Sequence, residues 1–310
     1  MNGTPVQSTL DPAPGSAAWP IGELGLVLYA GAAVILAVVC VLAISGVVAG
    51  PRRVGARRWL LTGGLVLPGL LLVALFLHAL GIGHALVAHE GADALRIHVT
   101  GKQWWWEVRY EAGDDAGVLL ANELHIPLGR PVEILLDSSD VIHSFWVPSL
   151  AGKVDMIPGR TTRLVVQADR PGTWRGQCAE YCGAQHALMA FHVVAEPVAD
   201  FDAWLAQQAR DAAPSAEPGS RLGRDLFFRS GCADCHAIRG TAADGRLGPD
   251  LTHVGSRQSL GAGVLGNHVG TMAGWIAGTQ ELKPGSLMPS STSLSGPELR
   301  ALAAWLQGLE

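Results

Sequence analysis

Residues 176–192 read GQCAEYCGAQHALMAFH and pack two cysteines, two histidines, a methionine and a glutamate into one short segment. Outside a cell, Cys178 and Cys182 could form a disulfide. Together with His186 they could also be part of a zinc site. A blue-copper site would take two histidines, one cysteine and a weak methionine, and this segment carries one cysteine more than that. Upstream, DVIHSFWVPSL places His143 at the end of an apparent strand, from which it can meet the cysteine loop in space. Two thiolates, two imidazoles and a thioether exceed the needs of one copper ion. They suit two coppers bridged by the two sulfurs, an arrangement that spreads one charge over both metals.

A second constellation, CADCH at positions 232–236, has the spacing of a c-type haem attachment site. The thiols of Cys232 and Cys235 add to the haem vinyl groups, and the His236 imidazole is placed to bind iron from one side. A zinc site would want a second pair of ligands, and no cysteine follows Cys235. A redox dithiol would sit in a βαβ context, which this helical region does not offer. Iron then needs a sixth ligand, for which His253, His268, Met272 and Met288 compete. Met272 falls in an expected helix, where methionine packs a core. Met288 lies in the Pro- and Gly-bounded LKPGSLMPSS, a loop able to fold over the far face, and is the expected ligand.

These sites need elements to hold them. The chain has 310 residues, 49% of them hydrophobic, with a net charge of −5. The apolar excess is N-terminal: residues 24–49 and 59–89 contain no Asp, Glu, Lys or Arg, and each run exceeds the roughly 20 residues that cross a bilayer. The first run lacks a basic leader and is too long for a signal-peptide core, so it is expected to stay. Four arginines lie in PRRVGARR between the runs, and none of the first 20 residues is Lys or Arg. The positive-inside rule therefore puts loop 50–58 in the cytoplasm, and tail 1–23 and everything after about Glu90 outside. His78, His84 and His89, in or at the end of the second span, read as ordinary interfacial histidines. Residues 93–197 read as short strands: LRIHVT sets Leu95, Ile97 and Val99 on one face, and TRLVVQ and PVEILLD are β-rich. A small antiparallel sandwich or barrel is expected. Residues 198–219, rich in Ala, Pro and Ser, read as a linker. Residues 220–310 turn helical, ending in SGPELRALAAWLQGLE, with Ser295 and Glu298 as a capping box and Leu299, Leu302, Ala303 and Leu306 as one apolar stripe. Nothing has a nucleic-acid footprint.

Residues 220–310 resemble the class I cytochrome c family in LFFRSGCADCHAI, GPDLTHV and MP. That resemblance implies that Pro249 flanks the haem and that its carbonyl holds the His236 ring. Nearly the whole chain, through DVIHSFWVPSLAGKVDMIPGR, GQCAEYCGAQHALM, GKQWWWEVRY and the two preceding spans, resembles subunit II of haem-copper cytochrome c oxidases. The trailing domain makes it similar to the fused subunit II of the caa3 type. The resemblance implies a multidomain membrane protein with a two-helix transmembrane hairpin, an all-β cupredoxin-like domain and an all-α class I cytochrome c domain. By position, His143, Cys178, Cys182, His186, Met189 and the Glu180 carbonyl would ligate a binuclear copper A centre. The Glu180 carboxylate would face a magnesium site shared with subunit I, and Trp104 would be where electrons enter. Its other reading is an aromatic packed on the sandwich surface.

The implied role is electron input to a terminal oxidase. Electrons from a cytochrome c or a quinol-oxidising complex would pass through haem c and copper A to subunit I, where oxygen is reduced, in a bacterial cytoplasmic membrane with both termini outside. Subunit III and membrane lipid are further implied partners. One departure is the absence of a carboxylate in RRVGARRWLLTGG, where many such subunits carry one at a proton-path entrance. Alternative roles are a subunit of a copper A nitric oxide reductase or a free-standing membrane-anchored carrier.

Overall fold

The computed structural model describes residues 15–50, 55–87, 94–111, 117–213 and 218–310. Tail positions up to 14, loop positions 51–54 with two of the arginines, His89 and linker positions 214–217 lie outside the described residues.

Two helical stretches are apolar on every side beyond their N-terminal ends, which carry Glu23 in one and Arg57 and Arg58 in the other. Helix α1, Trp19–Val48, has 30 residues, about 45 Å at 1.5 Å per residue, which exceeds a bilayer's hydrocarbon core of about 30 Å. It begins five residues before the expected span, because Pro20 at its first turn needs no hydrogen-bond partner for its nitrogen. The second stretch combines α2, Ala56–Leu61, a π-helical turn, Thr62–Val66, and α3, Leu67–Val87. Adjacent Gly63 and Gly64 tolerate the wide turn, and Thr62 Oγ1 donates to the Arg58 carbonyl at 2.7 Å. Leucines and valines around both helices are exposed in the isolated chain, the pattern of a segment solvated by lipid. The N-terminal end of α1 leans on the β domain: Gly15 bridges Ala168, and Ala18 is buried.

Ten strands form that domain: β1 Leu95–Lys102, β2 Trp105–Tyr110, β3 Val118–Ala121, β4 Glu123–Pro127, β5 Val132–Ser138, β6 His143–Trp146, β7 Val154–Met156, β8 Thr162–Val166, β9 Gly172–Cys178 and β10 Ala190–Glu196. They make two five-stranded sheets, ordered β3-β2-β1-β5-β8 and β4-β10-β9-β6-β7. The sandwich is not purely antiparallel, since β1 pairs with β5, and β4 with β10, in parallel. Parallel neighbours need a long crossover, and here the intervening strands supply it. Alternation buries Ile97 and Val99 as their spacing predicts. Between the sheets Trp106, Phe145 and Phe191 interlock, with ring centroids 4.6 to 5.9 Å apart. Gly176 leaves the space that Phe191 fills, since a Cβ there would come within 2.0 Å of the ring.

The expected linker is in part a helix. Residues Val198–Gln208 form α4, because Phe201, Trp204 and Leu205 recur at helical spacing and bury one face against the sandwich. Trp204 stacks on His125 at 3.8 Å, and His125 is held between Glu196 and Glu123 at 2.8 and 3.2 Å. Composition alone had concealed this stripe.

The C-terminal domain packs α5, Pro218–Arg229, against α8, Gly296–Gln307, with α6, Val269–Ala277, and α7, Thr279–Leu282, beside them. Two ladders of two-residue strands, Ala237–Ile238 with Ala243–Asp244 and Ser259–Leu260 with Leu265–Gly266, accompany the helices. Gly223 lets α5 approach α8, because a Cβ there would lie 2.3 Å from the Ala301 carbonyl oxygen. The capping box of Ser295 and Glu298 starts α8, which buries Leu302, Ala303 and Leu306. The two outer domains are hydrogen-bonded to each other. Arg257 donates to the Ala121 carbonyl at 3.0 Å, the Gln258 amide to Glu123 at 2.9 Å, and the Ala190 amide to the Ala262 carbonyl at 3.0 Å.

Candidate metal centre and haem site

Strand and loop bring the first constellation together. Cys178 ends β9, His143 begins the neighbouring β6, and Cys182, His186 and Met189 lie on the loop returning to β10. The Phe145–Cys178 register and the bond from the Ala179 amide to the Ser144 carbonyl fix the two strands at the site. The cysteines are free thiols with Sγ atoms 3.7 Å apart. His143 Nδ1 lies 3.9 Å from Cys178 Sγ, and His186 Nδ1 lies 3.7 Å from Cys182 Sγ. Met189 Sδ is 3.8 Å from Cys182 Sγ, and the Glu180 carbonyl is 3.2 Å from Cys178 Sγ. A tetrahedral zinc ion takes four donors. This cluster offers six, including a thioether, and so fits a pair of soft ions sharing two thiolates.

Residues around these donors prepare them for metal. Asp140 Oδ1 sits 2.8 Å from His143 Nε2, which leaves Nδ1 facing the thiols. Burial lowers the His143 pKa, but Cys178 and Asp140 outweigh it and raise it overall. The two thiols share one site: the hydrogen bond from Cys182 holds Cys178 far below the usual thiol range, and Cys178 in turn pushes Cys182 up. Metal held by both Cys178 and Cys182 would require the remaining thiol proton to leave. His143 is fully buried, and Gly101 makes its room, because a Cβ there would stand 2.7 Å from the imidazole Cδ2. Gly101→Val should therefore cost about 1–3 kcal/mol through overpacking and lower copper uptake by displacing the ring; thermal unfolding and metal analysis would show both.

Trp104 is half-buried, with its indole Nε1 donating to the Cys182 carbonyl at 2.9 Å. Gln103 Nε2 donates to the same oxygen at 2.7 Å. The Glu180 carboxylate turns the other way, 3.6 Å from Lys153 at the surface. Sequence reasoning missed Asp140, Gly101 and Gln103. Only Asp140, three residues ahead of His143, carried a local signal.

At the second site His236 Nδ1 donates to the Pro249 carbonyl at 2.7 Å, leaving Nε2 free for iron. Burial lowers its pKa, favouring the neutral ring that a metal requires. Gly248 is the cradle beneath it, since a Cβ there would fall 2.5 Å from Cε1. Cys232 and Cys235 are unpaired and half-buried, and Phe228, Leu251, Leu265, Val269, Met288 and Leu294 present a partly open apolar face. A haem fits this set. Three competitors for the far ligand are otherwise engaged: His253 Nε2 contacts the Arg210 carbonyl, His268 caps α6, and Met272 is buried in the core. Met288 stays on its loop, anchored by Gln280 Nε2 donating to its carbonyl at 2.7 Å. Met288→Ala should remove the weak long-wavelength thioether band of the oxidised spectrum and shift the haem toward high spin. Met272→Ala should keep the band and lose about 2–5 kcal/mol of stability.

The chain matches the family model for the cytochrome c oxidase subunit II periplasmic domain over residues 117–197, and that for cytochrome c over residues 220–310. It is 38% identical over 220 residues to cytochrome c oxidase subunit 2 of Alkalihalophilus pseudofirmus, covering 71% of this chain and 63% of that one. To cytochrome c oxidase subunit 2 of Bacillus subtilis it is 30% identical over 278 residues, covering 84% of this chain and 77% of the relative. The chain belongs to the cytochrome c oxidase subunit II family. Among solved structures, the periplasmic domain of subunit II of cytochrome oxidase from Bradyrhizobium japonicum is 30% identical, covering 38% of this chain and 95% of that one with a TM-score of 0.36. Membership in the cytochrome c oxidase subunit II family, with a fused cytochrome c domain, accounts for copper A and haem c as the cofactors, for the apolar helices of a membrane protein and for its periplasmic domain.

Proposed function

We propose that this chain is the electron-input subunit of a haem-copper terminal oxidase, taking electrons at its cytochrome c domain and delivering them to subunit I, which reduces oxygen to water. The observation that carries this reading is the six-donor cluster around Cys178 and Cys182, on one chain with the Cys232, Cys235 and His236 site. His143, Cys178, Cys182, His186, Met189 and the Glu180 carbonyl would hold copper A; Cys232, Cys235, His236 and Met288 would hold haem c. Bound there, these groups supply reversible one-electron chemistry. The residues contribute the rest: Asp140 and Pro249 orient the imidazoles, and Trp104, hydrogen-bonded to the Cys182 carbonyl, serves as the point of electron entry to the copper site.

Helices α1 and α2–α3 would form a transmembrane hairpin in a bacterial cytoplasmic membrane, with both termini outside. The bridge from Gly15 to Ala168 supports this by keeping the start of α1 beside the β domain. Subunit III and lipid would surround the hairpin, and a cytochrome c or quinol-oxidising complex would be the donor. The outward Glu180 carboxylate would serve a magnesium ion shared with subunit I. Purification in mild detergent followed by oxygen-uptake and nitric-oxide-uptake assays tests the reading. Co-purification with a polytopic subunit and donor-dependent oxygen uptake are expected. A chain that emerges alone would be a free carrier, and uptake of nitric oxide in place of oxygen would make it a reductase subunit.

A further inference from the structure

Lys283 follows α7 on the loop that carries Met288, and it is buried at 2% exposure. Its Nζ donates to three backbone carbonyls: Trp104 at 2.7 Å, Leu188 at 2.8 Å and Gly261 at 3.0 Å. The first acceptor lies between β1 and β2, the second adjoins Met189, and the third belongs to the cytochrome domain. One side chain thus ties the cytochrome loop to both the electron-entry tryptophan and the copper loop. The next residue repeats the tie, with the Pro284 carbonyl accepting from Gln185 Nε2 at 2.8 Å, one position before His186. Gly285 follows at φ +82°, and a Cβ built there would stand 3.6 Å from the Trp104 ring, so the loop backbone lies on the indole itself.

We propose that Lys283 is a positioning residue that clamps the Met288 loop onto Trp104 and thereby fixes the separation of the haem and copper sites. This rests on the functional reading above. Electron transfer between fixed sites falls exponentially with their separation, so a loosened clamp registers as a rate. Bonds elsewhere in the interface, from Arg257, Gln258, Ala190 and Ser259, join the domains but do not hold Trp104. The loop thus shields part of the half-buried indole, which favours entry of electrons through the cytochrome domain.

The test compares the full copper- and haem-loaded chain with Lys283→Met, Gln185→Leu and Ser259→Ala. Ser259 contacts His192 across the same interface at 3.3 Å and serves as a docking control. Lys283→Met should keep its metal and haem content. Its Gly285 and Ser286 amides should exchange hydrogen at least tenfold faster while β1 and β5 stay protected. Flash-initiated electron redistribution between haem and copper should slow at least tenfold. Gln185→Leu should shift both readouts in the same direction, and it carries the test if Lys283→Met does not fold. Ser259→Ala should leave the electron-transfer rate unchanged. Unaltered exchange and rate in Lys283→Met, or equal slowing in Ser259→Ala, would overturn the proposal. A wild-type chain without copper would instead defeat the functional reading, and hydrogen exchange would still report on the clamp.

Discussion

Cys182→Ser is expected to reduce copper from two ions to at most one per chain, in a soluble fragment spanning the β domain as well as in the full chain. Cys182 Sγ lies within 3.8 Å of Cys178 Sγ, His186 Nδ1 and Met189 Sδ, so it links the other thiol to the donors of the returning loop. A hydroxyl is a hard, weakly acidic donor that neither bridges soft ions nor ionises in their place. Removing the bridge also removes the neighbour that holds Cys178 as the first thiol to ionise. Metal analysis with electron paramagnetic resonance is the check: the unaltered fragment should show one electron shared over two coppers, and the variant should not. Met189→Leu should keep both ions and change the potential, because an axial thioether tunes more than it holds. A fragment that binds one zinc and no copper would return the segment to a structural role.

The Cys232→Ala, Cys235→Ala double variant should abolish covalent haem, with loss of haem staining on a denaturing gel. Each thioether needs its own thiol, so either single variant should keep at most one linkage and stain weakly. Both thiols are half-buried beside His236, with the His236 amide bonded to the Cys232 carbonyl at 3.0 Å. The turn that presents the thiols therefore also presents the imidazole. Undiminished staining of the double variant would refute haem attachment at these cysteines.

The ligand types and spacings, the two apolar runs, the alternating strand of Ile97 and Val99 and the capping box of α8 could all be read from the sequence, because each is encoded within a few residues by periodicity or motif. Even the choice of Met288 over Met272 rested on a local contrast between loop and helix. The arrangement around those residues could not be read the same way. Helix α4 was hidden because its three-residue apolar stripe has meaning only against the Trp204–His125 stack. The parallel pairs β1–β5 and β4–β10 depend on how the chain crosses between sheets. The room that Gly101 leaves for His143 is a fact about two strands of opposite sheets. The bond from Trp104 to Cys182 spans 78 positions and that from Lys283 to Trp104 spans 179, separations at which no local pattern survives. Residue types and their spacing specify which donors the chain offers and in which segments. Tertiary structure alone decided which of them meet and that the cytochrome loop lies on Trp104, because those contacts follow from how sheets and domains pack once their apolar faces are buried.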